Sequence, residues 1–270
     1  MKRLIAFIVA TVFIATAYAD GLEPNRDPAE IIRRTVERAR QRANDPNEIV
    51  HLYDKRTKVE SLNAEGAVTK RKIKLYEVTV RGGIPESRLV AIEGRNLTAK
   101  QIAKEDEKLK RRKRAFMKAD KDGKELSPRT FVPEDMARRY DVVYLREERR
   151  HGRATHVLQY KPKATPPSAR NLVERVANEL SGTLWIDAED YELAEIDVGL
   201  VDRVKLWGGF LGVLDGFTYS LQRQRSPEGI WHNDAAEAYI NARGLFKRLR
   251  FRMMEKMSNF RRAPSLLSGQ

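Results

Sequence analysis

The stretch Gly182-Thr-Leu-Trp-Ile-Asp-Ala-Glu-Asp-Tyr-Glu-Leu-Ala-Glu-Ile-Asp-Val198 decides the fold. Two runs that alternate apolar and polar residues, 183–187 and 191–200, are joined by Ala188-Glu189-Asp190, the pattern of antiparallel strands linked by a tight turn. The pattern continues downstream. Residues 216–225 and 230–243 are joined around Ser226-Pro227-Glu228-Gly229, and 247–260 closes the series. Each strand keeps one apolar side: Ala194, Ile196 and Val198; Phe217, Tyr219 and Leu221; Ala236, Ala238 and Ile240; Leu249, Phe251 and Met253. The opposite sides are polar, with Arg248, Arg250 and Arg252 the clearest case. This is an antiparallel sheet with one wet face. A single sheet of that length curls, and its apolar face needs helices to cover it.

Upstream, Asp27-Pro28-Ala29-Glu30 starts a helix, with Asp as the cap, Pro at the first helical position and an acid three residues after the cap. Ile31, Ile32, Val36 and Ala39 share one side of it, and Asn44-Asp45-Pro46 ends it. Residues 48–93 shift to period two, punctuated by Gly66, Gly82-Gly83 and Pro85, and predict three or four strands. Thr98 with Gln101 opens a second helix through about 117, whose apolar stripe is only Ile102, Leu109 and Phe116. Residues 125–136 are irregular, 141–148 and 154–161 form a hairpin, and 168–180 predicts a third helix carrying Leu172, Val173, Val176, Ala177 and Leu180. The expectation is an α+β protein: one large curled antiparallel sheet covered by about three helices. Residues 20–262 read as a single domain with a basic helical insertion at 98–136, and 263–270 as a flexible tail.

The chain opens with Lys2 and Arg3, an apolar run over 4–16, and Ala17-Tyr18-Ala19, which together predict a cleaved secretory signal peptide over 1–19 and a periplasmic, soluble mature protein. Lys and Arg number 52 against 38 acids, a net charge of +14 that falls to +12 without Lys2 and Arg3. At an exported address that charge points to anionic lipid headgroups and acidic envelope polymers rather than to nucleic acid. A merely well-solvated surface is the plainer explanation. With no cysteine, disulfides, thiolate metal sites and thiol nucleophiles are excluded.

Gly182, Trp185, Ile186, Asp187, Tyr191 and Leu193 resemble a recurring stretch of the LolA-like outer-membrane lipoprotein-sorting carriers. The later order is also similar: a Phe/Tyr-rich strand, Trp231 opening the next, and a last strand ending in Ser258-Asn259-Phe260-Arg261. The resemblance covers about 140–262, and 20–139 by topology only. It implies a half-open β-barrel whose concave apolar face is lidded by helices and holds acyl chains. It also implies partners: lipid or lipoprotein acyl chains, and, in regulators of the RseB type, an envelope membrane protein.

Catalytic signals are few. The histidines are His51, His151, His156 and His232, and no third ligand falls at metal spacing beside His151 and His156, which read as solvent-facing turn residues. No Gly-x-Ser-x-Gly elbow appears. Asp120-Lys-Asp122-Gly123 echoes a calcium loop, but Lys118 and Arg129 would then occupy ligand positions and repel the ion. The reading is a binding protein, not an enzyme, without cofactor or metal; an exported hydrolase with an unseen triad is the competing class. The concave wall is assigned to Ile196, Val198, Phe217, Tyr219, Leu221, Ile240, Leu249, Phe251 and Met253. Trp207, Phe210 and Leu211, set among glycines, suit a mobile lip at the cavity mouth or a buried connector. Met253, Met254 and Met257 cluster on the last strand and suit variable acyl chains or ordinary core filling. Lys110, Arg111, Lys113 and Arg114 lie on the basic helix, which reads as a lid drawn to an anionic membrane surface or as a plain soluble helix.

Overall fold

The computed structural model describes residues 26–43, 50–81, 84–121, 136–206, 212–244 and 248–263. The predicted signal peptide, the lip residues Trp207, Phe210 and Leu211, the segment holding Asp122 and Gly123, and most of the tail lie outside them.

In chain order the elements are α1 (Pro28–Ala43), β1 (His51–Leu62), β2 (Val68–Arg81), β3 (Ile84–Ile92), β4 (Arg95–Asn96), α2 (Ala99–Lys121), α3 (Met136–Arg139), β5 (Tyr140–Arg150) and β6 (Arg153–Pro162). Then come α4 (Leu172–Ala177), β7 (Leu180–Asp187), β8 (Leu193–Leu200), β9 (Val204–Leu206), β10 (Gly212–Arg225), β11 (Trp231–Arg243) and β12 (Arg248–Arg262). All twelve strands join one sheet, in the order β4-β3-β2-β1-β12-β11-β10-β8-β7-β6-β5, with β9 paired to β10. The path ends at β4 and β5 without closing, so the protein is a large open antiparallel sheet with a few helices. The hinge of the topology is β1 on β12, for instance Val59 opposite Met253, which ties the first strand to the last.

Residues directly opposite in a ladder share a face. One face runs through Tyr140, Val142 and Tyr144 of β5, Leu158 and Tyr160 of β6, Leu184 and Ile186 of β7, Ile196 of β8, Leu221 of β10 and Ala236 of β11. On this half sits α1. Ile31, Ile32 and Met136 pack with Leu158, Leu184, Ile186, Ile196 and Leu221 in the main core. Helix α1 forms as the sequence predicts: Asp27 Oδ1 accepts from the Ala29 amide at 2.9 Å, and Thr35, buried within a helix, returns its hydroxyl to the Ile31 carbonyl at 2.9 Å. Arg42 at its far end reaches Glu192 at 3.0 Å, which pins the helix across the sheet.

Four sequence expectations change. The third helix is α4 alone, six residues long. Asn171 caps it, accepting from the Glu174 amide at 2.9 Å, but Leu180 instead pairs with Leu200 at the start of β7. One and a half turns carry too few hydrogen bonds to resist that ladder, and Val173 is left 69% exposed. Ala194 does not follow Ile196: a register shift between Trp185 and Ile186 sets Leu193 opposite Ile186 and places Ala194 with Val157, Trp185 and Trp231 in a second core on the other face. His156 is not a solvent-facing turn residue. It is fully buried, with Arg26 3.2 Å from its Nε2. The methionines divide, since Met253 and Met257 sit opposite Val59 and Lys55 while Met254, opposite Lys58, points to the other face.

Candidate functional site

The nine residues assigned to the wall lie in continuous cross-strand rows. Phe217 faces Ile240, and Ile240 faces Phe251. Val198 faces Tyr219, which faces Ala238, which faces Met253. Ile196 faces Leu221 and through it Ala236. Leu249 extends the set, opposite Ala242. The structure therefore brings all nine to one face of the sheet.

Burial divides the wall in two. Ile196 and Leu221, under α1, belong to the main core, with Val198 and Tyr219 packed against its edge. Phe217, Ile240, Phe251 and Met253 are half-buried and join none of the buried clusters formed by the described residues. Leu249 is 48% exposed. A large aromatic or aliphatic side chain left half-buried beside its like, on a face otherwise covered, is apolar area open to a ligand. Burial pushes the Tyr219 hydroxyl above its ordinary pKa, helped by Glu255, so it stays a neutral donor at the edge of the wall. Sequence reasoning missed Val59, which extends the second row beyond Met253 onto β1. Only the β1–β12 pairing reveals it.

The residues that carry the family resemblance hold the β7–β8 turn. Asp187, wholly buried, accepts from Arg153 Nε at 2.5 Å and Nη2 at 2.8 Å and from the amides of Glu189 at 3.1 Å and Asp190 at 2.7 Å. Burial works to raise its carboxyl, yet the guanidinium and the turn amides hold it below its usual range. Trp185 donates Nε1 to Glu148 at 2.8 Å, and Arg150 lies 4.8 Å over its ring. Trp231 donates to Asp190 at 2.8 Å. Beneath them Arg223 bonds Glu192 at 3.0 Å in the interior. These groups neutralise each other and brace the sheet end, away from the half-buried wall.

Helix α2 opens with the expected reciprocal cap. Gln101 Oε1 accepts from the Thr98 amide at 2.8 Å, and Thr98 Oγ1 accepts from the Gln101 amide at 3.4 Å. It packs against β3. Ile102 is 38% exposed and Leu109 half-buried, while Lys110, Arg111 and Arg114 face solvent. The side chains of Lys113 and Phe116 lie outside the described set. Among the described residues no group of three His, Asp or Glu is placed to hold a metal ion, and no helix is long and apolar enough to cross a membrane.

No family model matches the chain, and no curated protein matches it. Solved structures similar to it include a DUF1329 family protein from Desulfovibrio piger, 12% identical with a TM-score of 0.35, the match covering 89% of this chain and 95% of that one. A LolA superfamily protein from Nitrosomonas europaea is 10% identical with a TM-score of 0.30, over 88% and 97% of the two chains. A chain of the MucA/MucB complex of Pseudomonas aeruginosa is 10% identical with a TM-score of 0.28, over 87% and 100%. The neighbours thus include the family that residues 182–198 resemble.

Proposed function

We propose that this chain is an exported, periplasmic carrier that holds lipid acyl chains against the half-buried part of its apolar face. The observation that carries the reading is the unbroken apolar row Val198–Tyr219–Ala238–Met253–Val59, one residue from each of five adjacent strands. At ~4.8 Å between strands the row is ~19 Å long. Half of a ~30 Å hydrocarbon core is ~15 Å, so one leaflet's chain fits along it. Each methylene moved from water onto such a surface contributes ~0.8 kcal/mol, enough for useful affinity without a reacting group. The basic helix α2 supports delivery. Between 100 and 118 it carries nine Lys or Arg against Glu105, Asp106 and Glu107, and its exposed cations would draw the protein to anionic headgroups within ~10 Å at ordinary salt.

Native mass spectrometry and solvent extraction of protein purified from its own envelope test the reading, together with displacement of a fluorescent fatty acid. Co-purified lipid and competitive displacement are expected. An empty protein that displaces nothing, or one that captures a membrane protein while binding no lipid, would overturn it.

A further inference from the structure

The three registers of the wall do not end at β1. Phe251 faces Ser61, and Ser61 faces Lys70. Met253 faces Val59, and Val59 faces Lys72. Glu255 faces Thr57, and Thr57 faces Lys74. The first two registers thus pass from the wall across one strand onto a lysine of β2, and the third, which starts at Ile196 and Leu221, reaches Lys74 through Glu255 and Thr57, so the three lysines share the face of the wall. Two residues apart, neighbouring lysines are ~7 Å from one another.

The acid on the third register and the cation on the far side of β2 are both matched. Glu255 accepts from Thr57 at 2.9 Å and pairs with Lys55 at 3.3 Å, and Lys55 lies 5.1 Å over the Tyr76 ring. On the opposite face of the same strand, Arg71 bonds the buried Glu60 at 3.0 Å. Lys70, Lys72 and Lys74 make no ion pair or hydrogen bond among the described residues, though Lys74 is half-buried. Three like charges in a row, beside an apolar surface and without a counter-ion, form a complement to an anion attached to hydrocarbon.

We propose that the bound ligand is a monomeric diacyl lipid with a phosphate headgroup, its chains along the apolar rows and its phosphate on Lys70, Lys72 and Lys74. This rests on the carrier reading above and names the ligand class of that same face. An uncharged lipid would occupy the rows but leave the lysines repelling one another. A free phosphate would meet the lysines without the hydrocarbon contact that gives affinity.

The test titrates diheptanoylphosphatidylglycerol, diheptanoylglycerol and inorganic phosphate, each as dissolved monomers, into the full mature chain by calorimetry. Wild type is expected to bind the phosphatidylglycerol at least tenfold more tightly than the diacylglycerol, and phosphate only weakly. The triple variant Lys70→Gln, Lys72→Gln, Lys74→Gln, altered only at side chains with no ion pair or hydrogen bond among the described residues, should lose that preference and keep its diacylglycerol affinity. Removing three exposed charges elsewhere, as Lys161→Gln, Arg203→Gln, Lys205→Gln, should leave the preference intact. Equal preference in wild type and the lysine variant, or equal loss in the two variants, overturns the headgroup site while the carrier reading stands. Phosphate binding that depends on the lysines without any lipid binding overturns the headgroup site as well. Failure of both lipids to bind wild type at all overturns the carrier reading itself.

Discussion

Gly182 is the position at which one added carbon should cost most. It sits in β7 opposite Val198, and a Cβ built there would stand 2.0 Å from the main-chain oxygen of Asp197 and 2.9 Å from the Tyr160 hydroxyl. Tyr160 is itself buried and packed edge-on to Tyr140 at 5.0 Å, so it has little room to swing away. Overpacking a core typically costs ~1–3 kcal/mol. Because the obstacle is backbone in the adjacent strand, Gly182→Ala belongs at the top of that range. For a domain of this size ~3 kcal/mol lowers Tm by ~6–12 °C. The matched control lies across the same pair of strands. A Cβ at Gly199 meets nothing within 4 Å, so Gly199→Ala removes only unfolded-chain freedom and should be neutral or stabilising by ~0.4–1 kcal/mol. Thermal melts of the two variants followed by circular dichroism decide the matter. A Gly182→Ala protein melting with wild type, or a Gly199→Ala protein falling as far, would refute the close approach of β7 and β8.

The wall offers a second contrast. Leu221→Asp places a charge in the sealed core and should abolish folding, whereas Phe251→Asp, on the half-buried part, should fold and lose fatty-acid displacement; a Phe251→Asp protein that binds normally means the face is wrongly assigned. Reversing Lys110, Arg111 and Arg114 to Glu should weaken sedimentation with anionic liposomes at low salt and leave Tm nearly unchanged, since all three are exposed. Equal sedimentation would leave α2 without a part in delivery. The Glu60 carboxyl is held down at about 2 by its bond to Arg252, against the raising effect of burial and with help from Arg71 and Lys58. A depressed carboxylate stabilises the fold above its unfolded pKa of about 4.5 and loses that contribution as pH falls towards 2. Melting temperature should therefore drop across that window, and less steeply in Glu60→Gln; identical acid limbs would show that Glu60 is not the titrating group.

Much of this protein is written locally. A period of two determines which residues of one strand share a side, so Ile196, Val198, Phe217, Tyr219, Leu221, Ile240, Leu249, Phe251 and Met253 could be placed on one face of the sheet from alternation alone. Capping chemistry at Asp27 and at Thr98 with Gln101 located two helices, because those side chains satisfy amides that any helix start leaves open. Alternation is silent on which strand lies beside which. That β1 pairs with β12, carrying the apolar rows through Val59 to the lysines of β2, depends on contacts about two hundred residues apart in the chain, and tertiary packing alone selects them. The register shift at Trp185 and Ile186 escapes the period-two rule for a related reason: one extra residue on β8 sends Ala194 to the opposite core, and only the competition of Trp185, Trp231 and Leu193 for space on the two faces rewards it. His156 and α4 changed in the same way. Burial against Tyr144 and Tyr191 made an apparent turn histidine a core residue, and a paired strand outbid the last turns of a helix that its sequence alone would have favoured.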